Sequence, residues 1–189
     1  MDANQIIDSL ARDGFLSQRY ELMIPNVFIQ PDSEADMFCV RKSGLCDEIE
    51  VKISRSDFLA DAKKVVRYRD REPAEQGLFS WDDKEAPWCK PKHQALADGD
   101  MCVNYFYFAV PQGLVEPDEL PEFAGLLEIR EGRNIRFAKE AERLHRNKMP
   151  FEDRYQIARK SNYRYWDMRL GKFRPDTAAS TPLIDQEAL

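Results

Sequence analysis

No stretch of this chain approaches the roughly 18 consecutive apolar residues that a membrane-spanning helix requires. Its longest apolar segment, Cys102 to Val110, is broken by Asn104, which excludes a spanning helix. Gly/Ser-rich, repeated and low-complexity tracts are missing too. Eleven Phe, seven Tyr and three Trp are spread over the 189 residues, so wholesale disorder is excluded. There is no phosphate-binding Walker loop, dinucleotide glycine fingerprint or Gly-x-Ser-x-Gly elbow, which argues against nucleotide-dependent enzymes and serine hydrolases. The four cysteines, Cys39, Cys46, Cys89 and Cys102, include no Cys-x-x-Cys pair. Cys89 and His93 stand four apart and Cys39 and Cys46 seven apart, spacings that give little basis for structural zinc. Met1 to Asp8 have neither the basic nor the apolar region of a secretory signal, which predicts a cytoplasmic protein with reduced thiols.

What remains is a chain whose apolar share, 43%, can bury a core over a length typical of one domain. The expected organisation is a single domain over residues 1–176, with an insertion at about 70–91, a basic helical segment at 138–170 and a flexible tail at 177–189. The net charge of −6 hides a strong polarity. Between Arg130 and Pro175 there are 14 Lys and Arg against 6 Asp and Glu, so this segment carries +8 and the remainder −14. A basic segment in an acidic protein suits a surface facing a polyanion, although solvated helix faces share the pattern.

Ile6, Ile7, Leu10, Ala11 and Phe15 recur at helical spacing and predict one helix over 4–16. Residues 21–29 are strand-like, and Pro25 assigns them to a sheet edge or a bulge. After a turn at Pro31 to Ser33, residues 36–41 and 48–53 read as an antiparallel hairpin closed through Gly44. Ser54, with Asp57 three residues on, is an N-cap signature opening a helix with Phe58, Leu59, Ala62, Val65 and Val66 on one face. A short helix at 92–97 and a continuous apolar strand at 102–110, of the kind buried on both faces, come after the insertion. A second hairpin at 125–137 leads to helices at 138–145 and 152–168. The order predicts an α/β fold, a mixed central sheet flanked by helices with a C-terminal helical extension.

Glu48, Glu50 and Lys52 share one face of their strand, and Ile49, Val51 and Ile53 the other. The alternation suits the wet face of an amphipathic sheet. It also suits chemistry, because Asp36 on the partner strand can approach Glu50, and two close carboxylates hold a hard divalent cation while leaving room for water and a phosphate oxygen. Lys52 can orient or help deprotonate an attacking water, or neutralise charge developing on phosphorus. The pair Lys92-His93 can reach a scissile phosphate or stand exposed. Capping and helix-face pairing account for Asp57 and Asp61.

Asp36, then Glu50-Val51-Lys52 fourteen residues later, then Ser54-Arg-Ser-Asp-Phe-Leu-Ala-Asp61, resembles the PD-(D/E)XK nuclease superfamily. It is similar in particular to the MmcB-like DNA-repair proteins and related phage-encoded nucleases. Asn104-Tyr-Phe-Tyr-Phe-Ala-Val-Pro111, with Leu120-Pro121 and Ala124-Gly-Leu126, resembles the second half of that core, so the likeness spans about residues 20–130. Two departures are visible: no Pro precedes Asp36, and the insertion is longer than the compact core needs. The resemblance implies a restriction-endonuclease-like fold and Mg²⁺- or Mn²⁺-dependent hydrolysis of DNA phosphodiesters, in repair, recombination or phage genome processing. It implies Asp36 and Glu50 as metal ligands with the Val51 carbonyl completing the set, Lys52 as the catalytic lysine and Glu21 as an added acidic residue.

Nucleic acid, expected to be DNA, would be held by Lys63, Lys64, Arg67, Lys92 and His93 and by Arg159, Lys160 and Arg164 of the last helix, where Tyr155, Tyr163, Tyr165 and Trp166 interleave. The same helix also reads as one whose aromatics pack on the sheet while its basic residues face water. The rival to a nuclease is a catalytically inactive nucleic-acid-binding or protein-interaction module on the same fold; a zinc-stabilised adaptor is a third reading. Strandedness, endo- or exonucleolytic action, and monomer or homo-oligomer are left open.

Overall fold

Asp2 opens the first helix, α1 (Ala3–Arg12), by accepting the Gln5 N–H at 2.8 Å while the Gln5 side chain accepts the Asp2 N–H at 3.0 Å. A single helix over 4–16 is not formed. Asp13 is extended, and its carboxylate accepts the N–H groups of Phe15 and Leu16, so the chain breaks and restarts as α2 (Gly14–Arg19). The computed structural model describes residues 1–30, 33–68 and 88–172. The other elements are β1 (Tyr20–Gln30), β2 (Ser33–Arg41), β3 (Cys46–Val51), α3 (Arg55–Asp61), β4 (Val65–Tyr68), β5 (Trp88–Pro91), α4 (Lys92–Ala97), β6 (Tyr105–Pro111), β7 (Gly125–Ile129), β8 (Ile135–Lys139) and α5 (Phe151–Arg169).

Six strands form a mixed sheet in the order β1-β2-β3-β6-β7-β8, and β4 pairs with β5 apart from it. β3, β6 and β7 run parallel at the centre; β1, β2 and β8 are antiparallel to their neighbours. Pro25 sits on β1, an edge strand, where a missing N–H costs little. The central strands are buried on both faces. Ile6, Leu10 and Leu16 of α1 and α2 cover one face, packing with Ile49, Val51, Tyr107, Ala109, Leu127 and Ile129. Phe58 of α3 and His93 of α4 lie edge-on to Phe108 on the other. Gly125 is required where β7 passes β6: a Cβ there would fall 2.4 Å from the Tyr107 ring.

Two further expectations are corrected. The helix after Ser54 stops at Asp61 rather than continuing through Val66, because Val65 and Val66 are β-branched and pair with β5 instead. No helix forms at 138–145. Ala138 and Lys139 belong to β8, and the backbone that follows is spent on other partners: Glu142 N–H on Phe123, Leu144 N–H on Asn104 and Met149 N–H on Gly44. The chain forms two compact units, Met1–Arg154 and Tyr155–Leu189, and α5 has a single fully buried side chain, Ile157. The turn at Pro31 and Asp32, most of the insertion (70–87, with Trp81) and the tail at 177–189 lie outside the described residues.

Asn104 holds the irregular segment after β8 in place. Its side-chain oxygen accepts the Cys46 N–H at 2.7 Å, and its amide donates to the carbonyls of His145 at 3.0 Å and Asn147 at 2.8 Å, all buried or partly so. Asn104→Ala leaves one N–H and two carbonyls without these partners and is expected to lower stability by about 2–4 kcal/mol in urea denaturation.

Candidate active site

β3 carries the chemistry. Its parallel pairing with β6 runs to the end, where the Lys52 N–H still donates to the Ala109 carbonyl at 3.0 Å. Ser54 then accepts the Asp57 N–H at 3.2 Å and turns the chain into α3 within three residues, which brings Asp61 back over Lys52. Alternation along β3 puts Ile49 and Val51 toward α1, and Glu48, Glu50 and Lys52 toward α3 and α4. That second face is not wet. Glu48 is fully buried, Glu50 is 1% exposed and Lys52 3%.

Buried charge needs compensation, and here it converges on Glu50. Lys92, itself 1% exposed, reaches from the start of α4 to Glu48 Oε1 at 2.6 Å and Glu50 Oε2 at 2.9 Å. Lys52 Nζ lies 3.0 Å from Glu50 Oε1 and 2.8 Å from Asp61 Oδ1. Lys64 also pairs with Glu50 Oε1 and lies 3.1 Å from Asp61 Oδ1. His93 Nε2 is 2.8 Å from Asp61 Oδ2. At the margin, Asp36 Oδ2 accepts the Val51 N–H at 2.7 Å. An extended residue points its N–H and carbonyl to the same side, so the Val51 carbonyl also faces the Asp36 side of β3. Asp36, Lys64 and Lys92 line a cleft of about 320 Å³ with Ser33, Glu34, Val65 and Val66.

The electrostatics separate the carboxylates. Burial, and then the neighbouring Glu50, push Asp36 up to about 6. Burial raises Glu48 as well. For Glu50 burial acts in the same sense, but Lys92, Lys52 and Lys64 outweigh it and hold the group below its ordinary value. Asp61 is lowered despite burial by its hydrogen bonds to His93 and Lys52. Burial works against charge on Lys52 and Lys92, yet their carboxylate partners raise both well above an ordinary lysine. Both ammonium groups persist at neutral pH.

The structure thus gathers Asp36, Glu50, Val51, Lys52, Lys64, Lys92 and His93. Glu21 does not join them: Tyr20 pairs with Arg41 and Asp36 precedes Met37, so Glu21 lies at the opposite end of β2, about 15 Å away. It is exposed and pairs instead with Arg154 at 3.6 Å. The surface role expected of Lys92 is also corrected, because its ammonium is an internal counter-ion of two buried carboxylates. Lys63 is exposed on the turn after α3, and the Arg67 side chain lies outside the described residues. Arg159, exposed, and Lys160 and Arg164, half-buried, belong to the second unit, where burial lowers Lys160. Two members of the cluster, Glu48 and Asp61, are absent from the set expected by sequence. Glu48 shares the strand parity of Glu50, and Asp61 stands seven residues after the cap; neither signal reveals that α4 will seal the face.

Among the described residues no group of three or more His, Cys, Asp or Glu side chains is arranged as a metal cage. The candidate set is smaller and of hard oxygen donors: Asp36, Glu50 Oε1 and the Val51 carbonyl, with Lys64 already acting as a cation on Glu50. Such a set fits Mg²⁺ or Mn²⁺ rather than zinc. Among the described cysteines, Cys39, Cys46 and Cys102 are buried and Cys89 is exposed, all as free thiols.

No family model matches the chain. No curated protein matches it either. Among solved structures it is similar to the SPO1766 protein of unknown function from Silicibacter pomeroyi, with a TM-score of 0.57 and 16% identity over 94% of this chain and 98% of that chain. That likeness is one of fold. The chain is an α/β protein with a mixed six-stranded sheet flanked by helices and a C-terminal helix, and no helix among its described residues is long and apolar enough to cross a membrane.

Two outcomes are expected. Lys92→Met strands Glu48 and Glu50 without their shared cation and costs about 3–5 kcal/mol of stability at pH 7, measured by chemical denaturation. Asp36→Asn acts in the opposite sense. Because the folded-state value of Asp36 lies above its ordinary 3.8, the folded chain binds more protons than the unfolded chain between about pH 4 and 6, and stability falls as pH rises through that window. In metal-free buffer the Asn variant is therefore more stable than the parent by about 1–3 kcal/mol at pH 8, and no more stable near pH 3. Thermal melts across pH read both.

Proposed function

We propose that this protein is a metal-dependent nuclease that hydrolyses phosphodiester bonds of DNA. The observation that carries the reading is the juxtaposition at the end of β3: Asp36 lines a cleft, Glu50 is buried behind the Lys64 and Lys92 side chains of its wall, and the Lys52 ammonium is held between Glu50 and Asp61. Asp36, Glu50 and the Val51 carbonyl would hold Mg²⁺ or Mn²⁺. When bound, such an ion supplies Lewis-acid polarisation of a phosphate oxygen and lowers the pKa of its water.

The chain's own groups do the rest. Lys52, raised by Glu50 and Asp61, keeps its proton and so serves as a fixed positive charge rather than as the base that takes a proton from water. A preorganised ammonium in a buried setting stabilises the negative charge that builds on a phosphate under attack, with no reorganisation at the moment of reaction. Asp61 and His93 position Lys52 from behind: Asp61 bonds both, and His93 braces Asp61 against the aromatic cluster of Phe106 and Phe108. The cleft that Asp36 and Lys64 line, of about 320 Å³, falls within the size range of small-ligand sites. Electrostatic capture of the polyanion falls to the basic C-terminal region, where 14 Lys and Arg face 6 acidic residues between Arg130 and Pro175.

The test is a cleavage assay on single-stranded, duplex and branched DNA and on RNA, in Mg²⁺, Mn²⁺ or EDTA. Cleavage is expected with either metal and not with EDTA. Glu50→Ala abolishes it, and Lys52→Ala slows it by about 10²–10³-fold. Salt-sensitive DNA binding without cleavage of any substrate would leave a binding module in place of the enzyme.

A further inference from the structure

Three ammonium groups meet at Glu50, and they are not equivalent. Lys52 and Lys92 are 3% and 1% exposed and each bridges two carboxylates, so neither can leave without stranding buried charge. Lys64 is 41% exposed. It stands on the turn between α3 and β4, and its backbone is pinned: the N–H donates to the Asp61 carbonyl at 3.0 Å and the carbonyl accepts the Lys92 N–H at 2.8 Å. Only its four-carbon side chain is free to swing, and it lies in the wall of the cleft that Asp36 lines. We infer that Lys64 is the exchangeable cation of this site, seated on Glu50 and Asp61 until a divalent cation at Asp36 and Glu50 displaces it.

Charge and atom assignment both lead there. Counted as ionised, the carboxylates of Asp36, Glu48, Glu50 and Asp61 face two locked ammonium groups, which leaves two carboxylate charges without a lysine partner that is locked in place. Lys64 cancels one of them and a divalent ion cancels both. Glu50 Oε2 is taken by Lys92 and Oε1 is shared by Lys52 and Lys64, so Lys64, the one exposed ammonium of the three, holds the position on Glu50 that a metal can take. With Lys52 fixed on Oε1, a divalent ion and the Lys64 ammonium together would put three cations on one carboxylate oxygen, where they repel at short range in a medium that screens poorly. Loading the metal therefore ejects the Lys64 head toward the cleft mouth, where an ammonium can meet a phosphate.

The inference rests on the metal site proposed above, and one titration distinguishes the two. Mn²⁺ is titrated calorimetrically, without nucleic acid, into the full-length protein and into Lys64→Met, Lys63→Ala and Glu50→Ala. Lys64→Met keeps the side-chain stem and removes the charge; Lys63→Ala removes a like charge one residue away that touches none of these carboxylates. Binding roughly tenfold tighter in Lys64→Met, with less than a twofold change in Lys63→Ala and loss in Glu50→Ala, is the expected result. Equal or weaker binding in Lys64→Met, while Glu50→Ala still abolishes it, overturns the role of Lys64 and leaves the metal site standing. Equal tightening by both lysine variants reduces the effect to general surface charge and also overturns it. No Mn²⁺ binding by the parent and Lys64→Met at millimolar metal overturns both.

Discussion

A carboxylate at 1% exposure is stable only where its charge is matched, and Glu50 is the group around which this protein arranges its cations. The constraint reaches well beyond one side chain. It requires α4 to begin where Lys92 can span Glu48 and Glu50, and β4 to run where the Lys64 carbonyl can receive the Lys92 N–H. It also requires α3 to end on Asp61, so that Lys52 has a second acceptor. The small β4–β5 sheet and the short helix following it, modest as elements, are the scaffold that brings two of the three ammonium groups, those of Lys64 and Lys92, to one carboxylate.

The opposite end of β3 solves the same physical problem differently. Asp47, also fully buried, receives two charge-assisted bonds from Arg41, at 2.7 and 2.8 Å, and one from the Tyr20 hydroxyl at 2.7 Å. The Arg41 guanidinium in turn lies 3.8 Å from the Tyr105 ring centroid. A planar fork stacked on an aromatic and doubly bonded to a carboxylate leaves nothing to exchange. Around Glu50 the partners are instead point charges on flexible stems, one of them half in solvent. One strand thus carries a closed ion cluster where β3 begins and an open one where it ends, and the open one borders a cleft. Ligands in sheets with parallel centres gather at the carboxyl ends of the strands, and β3 and β6 both end on this side.

Much of the architecture was legible in the amino-acid order. Pro25 marked an edge strand, Ser54 a helix start, and the apolar and aromatic run within 102–110 a central strand, formed over Tyr105–Pro111, because each is a local steric or hydrogen-bonding rule that neighbours do not override. Asp36, Glu50, Val51 and Lys52 came together because one antiparallel register and one strand period suffice to align them. Errors fell where long-range partners outbid local preference. Residues 138–145 have the composition of a helix, but Asn104, Phe123 and Gly44 claim their backbone or that of the residues just after.

What sequence alone determined is therefore periodic and local: an α/β order of elements, a polar face on β3, a carboxylate pair with a lysine two residues on, and a basic C-terminal region. What only the tertiary structure decided is the state of those groups. The face of Glu48, Glu50 and Lys52 reads as solvated from its alternation and is in fact sealed. Lys92 and Asp61 read as a surface contact and a helix-face residue and are in fact the counter-charges that make the sealing possible. Glu21, by contrast, falls at the far end of β2 once the register is set. The physical reason is that charge compensation is set by distance and dielectric, and both depend on how residues far apart in the chain are packed together.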